Sequence, residues 1–486
     1  MSVLAIDCGT TGVTALVVSE DGRVESRGYQ EFSQHFPEPG WVEHEPEEIW
    51  VAVISACRTA LDGHDVSAVG ITVQRETACF WDRATLQSPR RAIVRQDRRT
   101  TEICDDLREH EPRVAELTGL RLDPYFTATK LAWVRRHDPR TWEGVVDGRT
   151  AVGTVDSYVI ARLTGGRRHV TDASNASRTL LYDLRRGQWS DELCELFDVP
   201  RRALPEVVPS WGEVGRTDPV AFLGLDLPIA GIAGDQQAAL FGQGCYDAGR
   251  SKCTYGTGSF VLVNTGGTPV LSERLLTTVA WMAPDGELTY ALEGAVFVTG
   301  AAVQWLRDGL QVIQSAPEVE ALARQVPDSA GVVFVPALTG LGAPYWDPDA
   351  RGTVLGITRG TTRSHLARAT LDAIAFEVRD VVDAMTSEAG CAVPSLQVDG
   401  GASSNDLLCQ IQADQLGVPV QRPEVLETTA LGAAFLAGLG TGVWSSPAEL
   451  TETWRLDRRF EPTPGVRDDG THERWTRAVH RSLDWV

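Results

Sequence analysis

No apolar run in this chain approaches the roughly 18 residues of a membrane-spanning helix, so no ordinary transmembrane segment is expected. The N-terminus lacks a basic region followed by an apolar stretch, and a glycine–threonine turn begins within its first ten positions. No removable secretory leader is therefore expected. No strongly basic block offsets a formal net charge of −21, which argues against nucleic acid as a partner. Arg90-Arg91 and Arg98-Arg99 are short clusters that read as solvated faces or local ion pairs. The nine cysteines (Cys8, Cys57, Cys79, Cys104, Cys194, Cys245, Cys253, Cys391 and Cys409) are odd in number and never spaced C-x-x-C. Neither a zinc site nor a disulfide framework is indicated, and reduced thiols in a cytoplasmic protein are expected. Low-complexity segments and short-period repeats are also missing. What remains is 486 residues with 43% apolar and 23% charged side chains, an ordinary globular composition in a chain long enough for two domains.

Two glycine–threonine turns stand out. Val3-Leu4-Ala5-Ile6-Asp7 is a short apolar run ending in a carboxylate and followed by Cys8-Gly9-Thr10-Thr11-Gly12. Downstream, Lys252-Cys253-Thr254-Tyr255-Gly256-Thr257-Gly258-Ser259 leads into Phe260-Val261-Leu262-Val263. Glycine lets backbone approach a ligand, and free N–H groups with hydroxyls in a tight turn suit a polyphosphate. An acid at the strand end offers an oxygen ligand to a divalent cation. Either turn alone is equally an ordinary hairpin. A pair of them in separate halves suggests a nucleotide held between two domains.

Strand-like runs alternate with helical patterns, which indicates an α/β architecture. Residues 3–6 and 15–18 flank the first turn as a hairpin. Pro46-Glu47-Glu48 opens an amphipathic helix running to residue 61, and a strand over 66–73 delivers Gln74-Arg75-Glu76-Thr77. Residues 112–183 read as mostly helical, with Lys130 inside an amphipathic stretch. A strand over 227–234 runs into Asp235-Gln236-Gln237. The second half then restarts the opening plan, which places a domain boundary near Gln243-Gly244 and predicts domains over 1–243 and 244–486. Late in the chain, a strand enters Gly400-Gly401, a helix follows over 405–416, and a glycine-rich helix covers 430–438. The tail after Pro462 reads as peripheral up to a helix over 475–485.

Asp235 and two amides at a strand mouth occupy the usual ligand position of α/β folds. Together with Arg75 and Glu76 they could hold adjacent hydroxyls by reciprocal donor and acceptor bonds. From either motif alone, an ion pair at a domain surface is the stronger reading.

In order along nearly the whole chain, the segments Asp7-Cys8-Gly9-Thr10-Thr11, Pro39-Gly40-Trp41-Val42-Glu43-His44, Gln74-Arg75-Glu76-Thr77, Asp123-Pro124-Tyr125-Phe126, Thr171 to Thr179, Gly234 to Gly242, Thr254-Tyr255-Gly256-Thr257-Gly258, Gly340 to Pro348 and Asp399-Gly400-Gly401-Ala402 resemble the FGGY carbohydrate kinases. Within that family the resemblance is to the glycerol-phosphorylating branch. It implies an actin-like ATPase (ribonuclease H-like) fold, with two related α/β domains and an active-site cleft between them. It also implies ATP and Mg²⁺ as nucleotide and metal, and a small polyol as substrate. Arg75, Glu76, Tyr125, Asp235 and Gln236 would hold the substrate hydroxyls, with Phe260 as an apolar wall. Asp235 would also take the proton of the attacking hydroxyl. Asp7 would hold magnesium, with Asp235 at the same metal. Thr10, Thr11, Gly12 and Thr257 would contact the phosphates, and Gly300, Gln304, Gly401 and Asn405 would border the nucleotide. Such a chemistry needs an in-line hydroxyl, charge neutralisation and a carboxylate near the nucleophile. The expected product from glycerol is sn-glycerol 3-phosphate. A homo-oligomer, dimer or tetramer, is compatible with the resemblance.

The sequence departs from that branch in two places. Arg95 stands where it carries a tryptophan packed on the substrate's carbon skeleton, so the pocket is expected to be larger or more polar. Thr14 stands where it carries an arginine beside the phosphate turn, which implies a weaker clamp. The glycine- and lysine-rich loop by which some members bind a bisphosphorylated sugar has no counterpart over 218–226. A kinase for a related polyol or keto-sugar is the alternative reading, and a catalytically weak ligand sensor a more distant one.

Overall fold

A computed structural model describes residues 1–390 and 392–486. Two mixed sheets organise it. The first runs, edge to edge, Trp211–Arg216, Pro228–Gly234, Ala68–Val73, Ser2–Cys8, Gly12–Ser19 and Val24–Glu31. The second runs Leu276–Met282, Leu288–Val296, Ser259–Gly266, Ser251–Tyr255, Leu396–Asp399, Val420–Pro423 and Leu456–Phe460. Both are built to one plan. A hairpin carries a glycine–threonine turn, a third antiparallel strand flanks it, and a later strand pairs parallel with its first strand (Cys8 opposite Val73, Thr254 opposite Asp399). Parallel strands at the centre must be covered on both faces. Val3, Leu4, Ala5 and Ile6 are accordingly all fully buried, each large side chain contributing about 1.5–3 kcal/mol.

Pro46–Ala60 covers one face of the first sheet, packing on Gly12–Ser19 and Val24–Glu31 through Ile49, Trp50, Val53 and Cys57. The other face is covered by Thr428–Thr441, which comes from the second half of the sequence and also packs along Asp235–Gly242. That helix approaches so closely that a Cβ on Gly432 would lie 1.8 Å from the carbonyl of Ala238, and one on Gly70 2.0 Å from that of Ala433. Here the glycines are required for contact, not flexibility.

Two details differ from the sequence-based expectation. The last helix is Thr471–Val479 and stops well short of residue 485. Ser482 ends it: its hydroxyl donates to the Val479 carbonyl, and its own carbonyl accepts from Arg351 N–H. The helix anchors the tail through Trp475, which is fully buried and stacked on Phe376, with its indole N–H donating to Asp380 at 2.7 Å. Within 112–183 the helices are interrupted by short strands at Thr150–Gly153 and Val170–Asp172. The Arg99 guanidinium is a buried ion-pair partner of Asp97 and Glu43, lying over the Trp41 ring. Eight cysteines are free and buried; Cys391 lies outside the described residues. No helix among the described residues is long and apolar enough to cross a membrane.

Candidate active site

The strand Ala68–Val73 ends abruptly, and a tight turn re-aims the chain. The Thr77 N–H donates to the Arg75 carbonyl, and Glu76 adopts a left-handed φ of 64°. Such a conformation is uncommon for a side chain of this kind, and here it is fixed by Thr127, whose hydroxyl donates to the Glu76 carbonyl at 3.0 Å. Gln74 stays with the phosphate turn, donating from its backbone to Cys8 and from its side chain to the Gly9 carbonyl. Arg75 and Glu76 point inward and are fully buried.

Asp235 opens its helix directly after the strand Pro228–Gly234. Its Oδ1 lies 3.0 Å from Arg75 Nε, and its Oδ2 accepts from Arg95 Nη1 at 3.0 Å. Arg95 Nη2 in turn donates to Thr10 Oγ1 at 3.2 Å. The two guanidinium centres lie 5.8 Å (Arg75) and 5.9 Å (Arg95) from the Phe260 ring centroid. Phe260 belongs to the second half of the chain, so this pocket is lined from both halves. Tyr125 completes it: burial pushes its hydroxyl up to about 12, against the pull of Arg95. Its loop is pinned by the buried Lys130, which donates to the carbonyls of Pro124, Tyr125 and Phe126 at 2.7, 2.6 and 3.1 Å. Burial pushes that ammonium down to about 7. The sequence pattern placed Lys130 on an amphipathic helix without this role.

Three further residues at this site were missed by the sequence reading as functional positions. Glu293 accepts two bonds from Arg75, at 2.5 and 3.1 Å, and one from Arg178 at 3.0 Å. Arg178 also donates to Glu76 at 2.8 Å. Burial opposes ionisation of Glu293, but Arg178 and Arg75 hold it down to about 2. The third is Lys252, whose Nζ donates to the side-chain Oε1 of Gln236 and to Thr254 Oγ1. A signal was present. Glu293 is the single acid in the strand Leu288–Val296, and a lone carboxylate in an apolar strand needs a buried cation. Within this closed network Glu76 Oε2, the Tyr125 hydroxyl and Arg178 Nη1 remain buried without a hydrogen-bond partner. Unsatisfied groups of this kind cost about 1–3 kcal/mol each, and hydroxyls of a small ligand would satisfy them.

Asp7 is the penultimate residue of the first strand, beside this cluster, with Thr14 as its partner across the hairpin. Burial, and then Asp235, push the Asp7 carboxyl up to about 7, with Arg95 opposing. Its carboxylate accepts no hydrogen bond from the described residues. Thr10 and Thr11 form the turn and Gly12 begins the next strand, with Thr11 exposed. The remaining expected residues gather around the second turn. Thr257 accepts from the N–H groups of Thr299 and Ala301, and a Cβ on Gly300 would sit 2.7 Å from the Gly256 carbonyl. Gln304 lies one helical turn on and is exposed. Gly401 faces open space, and the Asn405 side chain caps Asp406–Leu416 by accepting from Leu408 N–H at 2.9 Å. A separate cavity of about 450 Å³, bordered by Arg368, Phe376 and Trp475, involves none of the expected residues.

Comparison with known proteins bears on the family and the fold. Residues 2–242 match the N-terminal domain, and residues 251–441 the C-terminal domain, of the FGGY family of carbohydrate kinases. A protein of Deinococcus radiodurans named glycerol kinase is 53% identical, covering 99% of this chain and 98% of its own. Another of that name, from Aromatoleum aromaticum, is 54% identical over 100% of this chain and 99% of its own. Among solved structures, Plasmodium falciparum glycerol kinase with ADP superposes with a TM-score of 0.91 at 33% identity, covering 99% of this chain and 98% of that one.

Proposed function

The chain belongs to the FGGY family of carbohydrate kinases, and from that premise we propose that it transfers the γ-phosphoryl group of ATP to a terminal hydroxyl of glycerol, giving sn-glycerol 3-phosphate and ADP. The carrying observation is the row of polar groups running from Glu76 and Tyr125 through Asp235 to Thr10. Unpartnered groups for polyol hydroxyls lie at one end and the phosphate turn at the other. The identity above 50% with glycerol kinases over full length supports the choice of glycerol.

Arg75, Glu76, Tyr125 and Gln236 hold the polyol, with the Phe260 ring against its carbon skeleton. Asp235 accepts the proton as the hydroxyl attacks, a contribution of roughly 10²–10⁴-fold for a positioned base. Thr10, Thr11, Gly12 and Thr257 take the phosphates, and Gly300, Gln304, Gly401 and Asn405 border the nucleotide. Two neighbouring carboxylates, Asp7 and Asp235, fit Mg²⁺, which binds through one or two carboxylates plus substrate phosphates. When bound, the metal supplies charge neutralisation on the phosphate oxygens. Eight buried free thiols fit a reducing, cytoplasmic location. We assign the domains to 1–243 and 244–486, and a dimer or tetramer to the assembled protein, testable by light scattering.

A second reading rests on Arg95, which brings charge and donors into the polyol pocket and so favours a longer polyol or a keto-sugar. A coupled ADP-release assay over glycerol, longer polyols and keto-sugars tests both. Highest kcat/KM on glycerol supports the first, preference for a longer substrate supports the second, and no turnover on any of them refutes both.

A further inference from the structure

Arg95 does more than face Phe260. One planar guanidinium joins the carboxylate of Asp235 to the hydroxyl of Thr10, at 3.0 and 3.2 Å. The side chain is held there, only 13% exposed. Arg75, the other cation on Asp235, has its remaining nitrogens committed to Glu293 and Gln237. Among the described residues, no other basic side chain hydrogen-bonds to the turn over 9–12, and position 14, opposite Asp7, is a neutral threonine. A wall for a carbon skeleton would need none of this charge. A guanidinium spanning the proton acceptor and the phosphate turn lies where negative charge passes during transfer.

Resting on the assignment of this cleft to phosphoryl transfer, we propose that Arg95 is a phosphate clamp, binding oxygens of the transferring γ-phosphoryl group between Thr10 and Asp235. In that step the polyol oxygen bonds to the γ-phosphorus while the bond from γ-phosphorus to the bridging oxygen breaks. The electron pair of the broken bond leaves with ADP, and the hydroxyl proton passes to Asp235. Arg95 presents a fixed fork of donors to the phosphoryl oxygens. Turning its arms from Asp235 and Thr10 to those oxygens frees the carboxylate for the attacking hydroxyl.

The test compares wild type, Arg95→Gln and Arg95→Lys by calorimetric affinity for ATP and for ADP without polyol, and by steady-state kinetics on glycerol. Loss of charged hydrogen bonds to the γ-phosphoryl group should weaken ATP binding in Arg95→Gln by roughly tenfold or more, leaving ADP within about twofold. Its kcat should fall by about 10³-fold, the low end for an arginine in phosphoryl transfer, with a much smaller change in KM for glycerol. Arg95→Lys keeps the charge without the fork and should recover part of the ATP preference; it carries the same comparison if the glutamine variant does not fold. An unchanged ATP-to-ADP affinity ratio with a raised KM for glycerol overturns the clamp and makes Arg95 a polyol wall. If the wild type phosphorylates no polyol, the functional reading fails, whereas the ATP-to-ADP ratio still decides the role of Arg95.

Discussion

Removing Glu293 should loosen the two halves of the protein and disorder the polyol pocket together. Its carboxylate is about 1% exposed and accepts from Arg75 and Arg178. Those cations come from the first half of the chain, and Glu293 from the second. From an ordinary value of 4.5 the carboxyl is brought down to about 2; at roughly 1.4 kcal/mol per pH unit, the ionised form is favoured by about 3 kcal/mol. Independently, deleting one partner of a buried ion pair costs about 3–5 kcal/mol, because it strands the other charge. The two figures agree, so Glu293→Ala should lower the melting temperature by roughly 6–12 °C, using about 2–4 °C per kcal/mol for a domain of this size. The pH dependence has a definite sign. A depressed carboxyl contributes stability that is present above the unfolded value near 4.5 and is lost as pH falls toward about 2. Melting of wild type and Glu293→Gln should therefore converge through that acid window, and the difference curve isolates this one group from the other carboxylates. Arg75, freed from its anchor, should also raise KM for the polyol. Melting of Glu293→Ala within about 2 °C of wild type, under 1 kcal/mol on that scale, would refute the account of a buried interdomain latch.

Asp235→Asn should reduce turnover by roughly 10²–10⁴-fold with nucleotide affinity nearly unchanged; a variant keeping more than about a tenth of wild-type kcat would remove the base assignment. Asp7→Ala should weaken the magnesium dependence of activity far more than polyol binding. Titrating the metal in both proteins checks this, and an identical magnesium requirement at normal turnover is the contrary outcome. Gly432→Ala should destabilise by about 1–3 kcal/mol despite alanine's better helix propensity, because the new methyl meets the Ala238 carbonyl. Thermal melting reads it, and an unchanged or raised melting temperature contradicts the packing.

What was legible in the chain was what local rules encode. The apolar runs at 3–6 and 227–234 are central strands because only buried parallel strands tolerate uninterrupted apolar residues. Pro46 followed by two acids is a local helix-start signal, and the two glycine–threonine turns were read correctly as the turns of two hairpins. Order and identity of the motifs then carried the family. The terminal helix was expected over 475–485 but spans Thr471–Val479, because the chain leaves it where Ser482 meets Val479 and the distant Arg351.

Long-range electrostatics remained for tertiary structure to decide. Arg75 beside Glu76 looked like a surface ion pair, since exposure cannot be read from adjacent charges; the fold buries both and couples Arg75 to a carboxylate 218 residues away. Arg95 read as a departure in a substrate wall, until the end of one sheet set it between Asp235 and Thr10. By itself the sequence determined the strands, the turns and the family, because those depend on neighbours along the chain. Which charges face one another was decided only when two sheets whose first strands start 249 residues apart, at Ser2 and Ser251, brought these side chains together and buried them, since burial in a low-dielectric interior requires each charge to find its partner.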